Sequence, residues 1–200
     1  MKIIQINPQN PEKEKINQAI QILEEDGIIV YPTDTIYGLG ANIYSDKAIK
    51  KVFSIKKRDH NKPLSVCLSR IGDISEIAYL GEDDQQLNEN LPGPYTILLK
   101  KKDHVSPLLT AGSEKIGIRI PNNKICRDLT RKFPITSTSA NISGEKVPIT
   151  AEEVAEHLDD QVDLVIDGGK TKGTPSTVVD CTKKPPEILR QSNQEFNLLK

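Results

Sequence analysis

Ile28-Ile29-Val30-Tyr31-Pro32-Thr33-Asp34-Thr35-Ile36-Tyr37-Gly38-Leu39-Gly40 contains the sharpest change of character in the chain: a short apolar run gives way to hydroxyls, a carboxylate and two glycines. An apolar run of that length, entered from Gly27, reads as a buried strand over 28–31. Pro32 has no N–H for a ladder and biases Tyr31 toward extended geometry, so the strand is expected to stop there. Gly38 and Gly40 are expected to supply positive φ or to let another group approach the backbone. On this segment alone, an ordinary strand-to-helix loop and a ligand-binding loop both stand open. Asp34 is equally open between a capping carboxylate and one that orients a bound amine.

Outward from this block, short apolar strands alternate with amphipathic helices. Asn10-Pro11 reads as an N-cap with proline at the first helical position, followed by Ile16, Ala19, Ile20 and Leu23 at helical spacing. Ser45 or Asp46 caps a second helix carrying Ala48, Ile49, Val52 and Phe53, and Leu64 to Leu68 reads as a strand. Further strands are expected at 96–100, 115–120, 135–138, 163–166, 176–181 and 187–190, with helices near 82–90, 123–132 and 151–158. Thr150 and Glu153 form a capping box for the last helix. The series contains no repeat or long polar linker and predicts a single α/β domain with a mixed sheet.

The chain has 200 residues, 36% apolar and 28% charged, enough to bury a substantial core and unlike a disordered or fibrous composition. A net charge of −1 gives no global nucleic-acid footprint. Cations are instead local, at Lys50, Lys51, Lys56, Lys57, Arg58 and Lys62 and at Lys100 to Lys102. Cys67, Cys126 and Cys181 lie too far apart for a disulfide framework or a zinc site and read as reduced thiols, mostly buried, in a cytoplasmic protein. The start, Met1 to Asn7, is too polar for a secretory signal, and no apolar run is long enough to span a bilayer.

Three other loops carry chemistry-bearing residues. Lys56-Lys57-Arg58 falls where a helix ends, a place that favours cations, and equally offers a compact ammonium and a rigid guanidinium fork to phosphate or carboxylate oxygens. Thr136 to Gly144 packs five hydroxyls and an amide after a strand, for turn bonds or for a polar pocket. Asp167 to Thr177 is rich in glycine and carries two lysines, but matches neither the P-loop nor the dinucleotide spacing. His60, His104 and His157 are too scattered for a triad or a metal site, and no nucleophile elbow occurs.

Seven blocks in register then carry a resemblance. They are Tyr31 to Leu39, Lys56 with Arg58, Lys62-Pro63-Leu64-Ser65, Pro92 to Thr96, Gly117 to Pro121, Ser139 to Gly144 and Pro175 to Asp180. The chain resembles the YrdC/Sua5 family of threonylcarbamoyl-AMP synthases. The resemblance implies one YrdC-like domain over 1–200 with a core at about 12–191, a twisted mixed sheet flanked by helices around a large concave cavity, and no C-terminal Sua5 domain. It implies an enzyme that joins L-threonine, bicarbonate and ATP into threonylcarbamoyl-AMP, with Mg²⁺ on the nucleotide. A downstream transferase complex then acts on tRNA position 37.

By the same resemblance, Lys56 and Arg58 face the phosphates as catalytic residues, solvent-facing in the cavity; Thr35, Arg119, Ser139 and Ser176 hold threonine; and Asn141 and Arg190 join Lys56 and Arg58 around ATP. No metal-binding side chain is assigned. Arg119 is expected to grip the threonine carboxylate as a bidentate fork. Because carbamates lose CO₂ readily, a loop near 139–150 or 167–175 is expected to close over the site. Asp59 departs from the proline of many relatives, and Cys67 stands where some place a histidine near threonine. The rival reading is a non-catalytic module binding double-stranded RNA or tRNA through the lysine clusters. Weak RNA binding is also expected of the enzyme, whereas the chain has few aromatic stacking platforms.

Overall fold

The computed structural model describes residues 1–81, 84–193 and 195–196, without the side chains of 84–86. Among the described residues eleven strands and seven α-helices follow in order: β1 (Lys2–Gln5), α1 (Lys13–Glu24), β2 (Ile29–Pro32), β3 (Tyr37–Gly40), α2 (Asp46–Ile55), β4 (Ser65–Cys67), α3 (Ile74–Ile77), α4 (Asp84–Asn90), β5 (Tyr95–Lys100), α5 (Pro107–Thr110), β6 (Lys115–Arg119), α6 (Lys124–Leu129), β7 (Ile135–Thr136), β8 (Thr138–Ser139), α7 (Ala151–Leu158), β9 (Leu164–Asp167), β10 (Thr177–Asp180) and β11 (Glu187–Arg190). The first two positions of the helix expected at 82–90 lie outside the described residues.

The strands form two mixed sheets rather than one. The first has the order β1-β9-β2-β3-β8 and the second β11-β10-β5-β6-β4-β7. The run expected as one strand at 135–138 is the join. Its first half, β7, pairs with β4, and its second half, β8, pairs with β3. Apolar spacing marks a strand but not its partner, so this transfer between sheets left no trace in the sequence pattern.

The opening block also folds differently from the loop expected. β2 runs through Pro32, the chain turns over Thr33 to Ile36, and β3 returns antiparallel to β2 with Tyr31 opposite Gly38. Neither Gly38 nor Gly40 has positive φ. They are bare because the Tyr31 ring lies across them: a Cβ on Gly38 would come 3.1 Å from Tyr31 Cζ, and one on Gly40 would come 2.9 Å from Tyr31 Cε1. The buried ring covers what two side chains would otherwise fill, an aromatic–glycine pairing across strands.

Alternation along β2 divides the interior into two cores. Val30 faces a large cluster with Leu39, Val52, Val66, Ile97, Ile118, Val154 and Val165, while Ile29 and Tyr31 face a smaller one built with Ala19, Leu23, Ile125, Leu129 and Leu164. A strand buried on both faces must be apolar throughout, hence the unbroken Ile28-Ile29-Val30.

Ser45 caps α2 by accepting from Ala48 N–H, and Thr150 caps α7 by accepting from Glu153 N–H. Glu153 answers by accepting from Ile149 N–H at 2.7 Å. The start expected for α1 at Asn10-Pro11 is corrected to Lys13. Asn7 Oδ1 accepts from the N–H groups of Gln9 and Asn10, so residues 7–10 make a turn instead of a helix cap. No helix among the described residues is long and apolar enough to cross a membrane.

Gly40→Ala, which presses a methyl into the Tyr31 ring from 2.9 Å, is expected to destabilise the fold by about 1–3 kcal/mol in urea unfolding.

Candidate functional site

The residues singled out from sequence gather in three adjoining groups. The first surrounds Lys56, which C-caps α2 and is 2% exposed, not solvent-facing as expected. Its ammonium donates to the carbonyl oxygens of Ser139 at 2.5 Å and Asn141 at 2.8 Å, and to Asn141 Oδ1 at 3.2 Å, with Ser139 Oγ at 3.4 Å. Ser143 N–H donates in return to the Lys56 carbonyl at 2.9 Å. Lys56 thus fastens the segment after β8 to the end of α2. All of these acceptors are neutral, so burial, followed by the nearby positive charge of Arg58, lowers Lys56 from its ordinary 10.5 to about 8.

Arg58 turns the other way. Its guanidinium donates to the carbonyls of Lys62 at 3.1 Å and Pro63 at 3.0 Å, which folds the loop carrying Asp59 back on itself. Ser139 Oγ donates to Asn141 Oδ1 at 2.6 Å, and Asn141 Nδ2 donates to Glu145 O at 2.7 Å.

The second group lies one strand away. Ser139 pairs with Gly38 in the β3–β8 ladder, and the turn preceding β3 presents Thr35. Arg119, at the end of β6, sends Nη2 to Thr35 Oγ1 at 2.7 Å and to Asp34 Oδ1 at 3.1 Å. Asp34 Oδ2 accepts from Asn122 N–H at 3.0 Å. The Arg119–Asp34 ion pair is buried on both sides, and Arg119 Nε is buried with no hydrogen-bond partner. With both protons of Nη2 engaged, the unobstructed bidentate fork expected of Arg119 is not what the geometry offers.

The third group comes from the neck of β10. Ser176 Oγ lies 2.7 Å from Thr96 Oγ1 on β5, and Arg190 clamps Ser176 O with Nε at 3.0 Å and Nη2 at 2.8 Å. Burial, and then the charge of Arg119, lowers the Arg190 guanidinium from its usual value. Two arginines close enough to repel, one with a buried unpaired N–H, concentrate positive charge of a kind suited to an anion.

The glycine-rich loop lies against the second group. Gly173 N–H donates to Thr35 O at 2.9 Å, Tyr37 OH donates to Gly169 O at 2.8 Å, and Thr171 N–H donates to Ile149 O at 2.9 Å. Its lysines, Lys170 and Lys172, are exposed. A cleft of about 430 Å³ lined by Asp34, Glu89, Tyr95, Asn122 and Lys172 opens beside this group. Another of about 510 Å³ follows the ends of β1 and β9. Neither cleft includes Lys56, Ser139 or Asn141.

Thr33, Thr96 and Tyr37 also belong to the site although sequence reading gave them no role. Each sits inside a quoted block, and only contact geometry separates them from their neighbours.

Comparisons with known proteins identify the family and the fold. A family model named for Sua5, YciO and YrdC and described as telomere recombination matches residues 21–192. The chain belongs to the Sua5–YciO–YrdC family. A protein of Methanocaldococcus jannaschii, provisionally called a threonylcarbamoyl-AMP synthase, is 40% identical over 184 residues, covering 89% of this chain and 86% of its own length. The crystal structure of Pyrococcus abyssi Sua5 complexed with L-threonine superposes with a TM-score of 0.91 at 34% identity, covering 96% of this chain and 58% of the other. The present chain therefore spans little more than half of that family member. Escherichia coli YciO superposes with a TM-score of 0.91 at 31% identity over 98% of both chains.

Lys56→Met keeps the side-chain length but strands two buried carbonyls, and is expected to cost about 1–3 kcal/mol in urea unfolding. Arg58→Ala, at a half-buried loop position, should cost less than about 1 kcal/mol. Equal costs would refute the assignment of Lys56 as the internal fastener.

Proposed function

We propose that this protein is an L-threonylcarbamoyladenylate synthase, a nucleotidyltransferase making threonylcarbamoyl-AMP and pyrophosphate from L-threonine, bicarbonate and ATP. The observation that carries the proposal is the adjacency of the Thr35–Arg119 group and the Lys56–Ser139–Asn141 group across the single β3–β8 pairing. It occurs in a fold that binds L-threonine in the Pyrococcus abyssi relative.

The chemistry asks for alignment and charge compensation. The threonine amine takes up CO₂ derived from bicarbonate to give a carbamate. A carbamate oxygen then attacks the α-phosphorus of ATP, and the bond to the β-phosphate oxygen breaks with loss of pyrophosphate. Such a reaction gains most from holding the two reactants in line and from cations facing the phosphate oxygens. Threonine would lie at Thr35, Arg119, Ser139 and Ser176, with its carboxylate toward the Arg119 guanidinium. ATP would lie along Lys56, Arg58, Asn141 and Arg190, in a concave space between the two sheets. Lys56 serves ATP chiefly by its charge and by fixing Ser139 and Asn141, since its protons already have protein acceptors.

Mg²⁺ would enter on the nucleotide. Among the described residues no group of three or more His, Cys, Asp or Glu side chains converges on one point. Phosphate oxygens and water would therefore supply most ligands, and the ion would offset phosphate charge. The backbone bonds from the 167–176 loop to Thr35 and Tyr37 suit a cover that keeps water from the carbamate. The product would pass, in the cytoplasm, to a transferase complex that modifies adenosine 37 of tRNA. A bare RNA-binding module has no use for the buried Arg119–Asp34 pair or the unpaired Nε.

Pyrophosphate release should require ATP, L-threonine and bicarbonate together; release without threonine, or none with all three, would overturn the proposal. kcat/KM for ATP is expected to fall as pH rises through about 8, because Lys56 in the free enzyme then loses the charge that attracts phosphate. Lys56→Arg should remove that inflection.

A further inference from the structure

The hydroxyls of the 33–36 turn form a chain whose direction can be assigned by counting protons. Thr33 Oγ1 lies 2.7 Å from Ile36 O, a carbonyl that can only accept, so the single Thr33 hydroxyl proton points there. Thr33 Oγ1 lies 2.9 Å from Thr35 Oγ1, and with the Thr33 proton spent, the proton between them belongs to Thr35. Arg119 Nη2, which can only donate, reaches Thr35 Oγ1 at 2.7 Å. Thr35 Oγ1 therefore gives its only proton inward, accepts from Arg119, and keeps one lone pair for anything else. Both threonines and Arg119 are buried, so water does not scramble the chain. Asp34 fixes its head by accepting the other proton of Arg119 Nη2. Thr33 fixes its tail: with one lone pair of Oγ1 taken by the Thr35 hydroxyl, the N–H groups of Thr35 at 3.1 Å and Ile36 at 3.2 Å share the other.

We propose that Thr33 is a positioning residue that makes Thr35 an acceptor-only hydroxyl, so that Thr35 reads a hydrogen-bond donor of the bound amino acid, its amine or its β-hydroxyl, and not its carboxylate. The carboxylate is left to the Arg119 N–H groups other than those of Nη2. This reading rests on L-threonine being the substrate; the direction of the chain does not.

Titration calorimetry of the full chain with L-threonine and with L-2-aminobutyrate, which lacks only the β-hydroxyl oxygen, tests the proposal. Thr33→Val should weaken L-threonine binding about tenfold, leave ATP binding unchanged, and be rescued by Thr33→Ser. An equal loss for both amino acids supports the amine as the donor, and a loss confined to threonine supports the β-hydroxyl. No loss with the fold intact, or an equal loss for ATP, overturns the proposal. NMR of the ligand-free wild-type protein supplies a readout independent of any variant: a slowly exchanging Thr35 hydroxyl proton with a through-space contact to the Thr33 side chain is expected, and its absence overturns the chain's direction. A wild-type protein that shows this proton and binds no threonine supports the direction and rejects the synthase reading.

Discussion

The structure depends on five residues, Ile135 to Ser139, that belong to both sheets. Thr136 holds the crossing: its N–H donates to Ala41 O at 2.8 Å, its hydroxyl donates to Leu39 O at 2.8 Å and accepts from Ala41 N–H at 3.0 Å, and its carbonyl accepts from Tyr31 OH at 3.0 Å. Ser137 N–H then reaches Ser65 O at 2.7 Å on the other side. Because these groups are buried, every one of them must be satisfied inside the protein, and their loss would cost more than the same bonds at a surface. The site inherits its geometry from this crossing. Ser139 and Asn141 emerge directly after it, while Thr35 stands at the turn of the strand that pairs with it.

Much of this was legible in advance. Alternating apolar runs located most strands and the long helices, and Ser45 and Thr150 announced their helix starts through side-chain chemistry that acts within four residues. What escaped was non-local. β1 carries an exposed face and reads as polar, and β3 is half glycine, which resembles a turn until the Tyr31 ring is seen over it. The split into two sheets is a matter of partner choice, invisible to periodicity.

The site was legible as a set of residues and not as a set of roles. Lys56 looks like a surface cation at a helix end, yet the chain folds its ammonium inward onto carbonyls contributed from more than eighty positions away. Arg119 looks like a free fork, yet Asp34 and Thr35 engage one of its arms. In both cases sequence gives the charge, and only packing says which protons remain to be shared.

The glycine-rich loop is joined to the site almost entirely by main-chain atoms: Gly173 N–H on Thr35 O, Gly169 O under the Tyr37 hydroxyl, Thr171 N–H on Ile149 O. Main-chain contacts are indifferent to side-chain identity. Lys170 and Lys172 are exposed and make none of these contacts. Gly169 and Gly173 have φ values of +87° and +75°, which few other residues adopt. The loop is thus held by its shape more than by its lettering, so other side chains at its exposed positions leave these main-chain contacts in place.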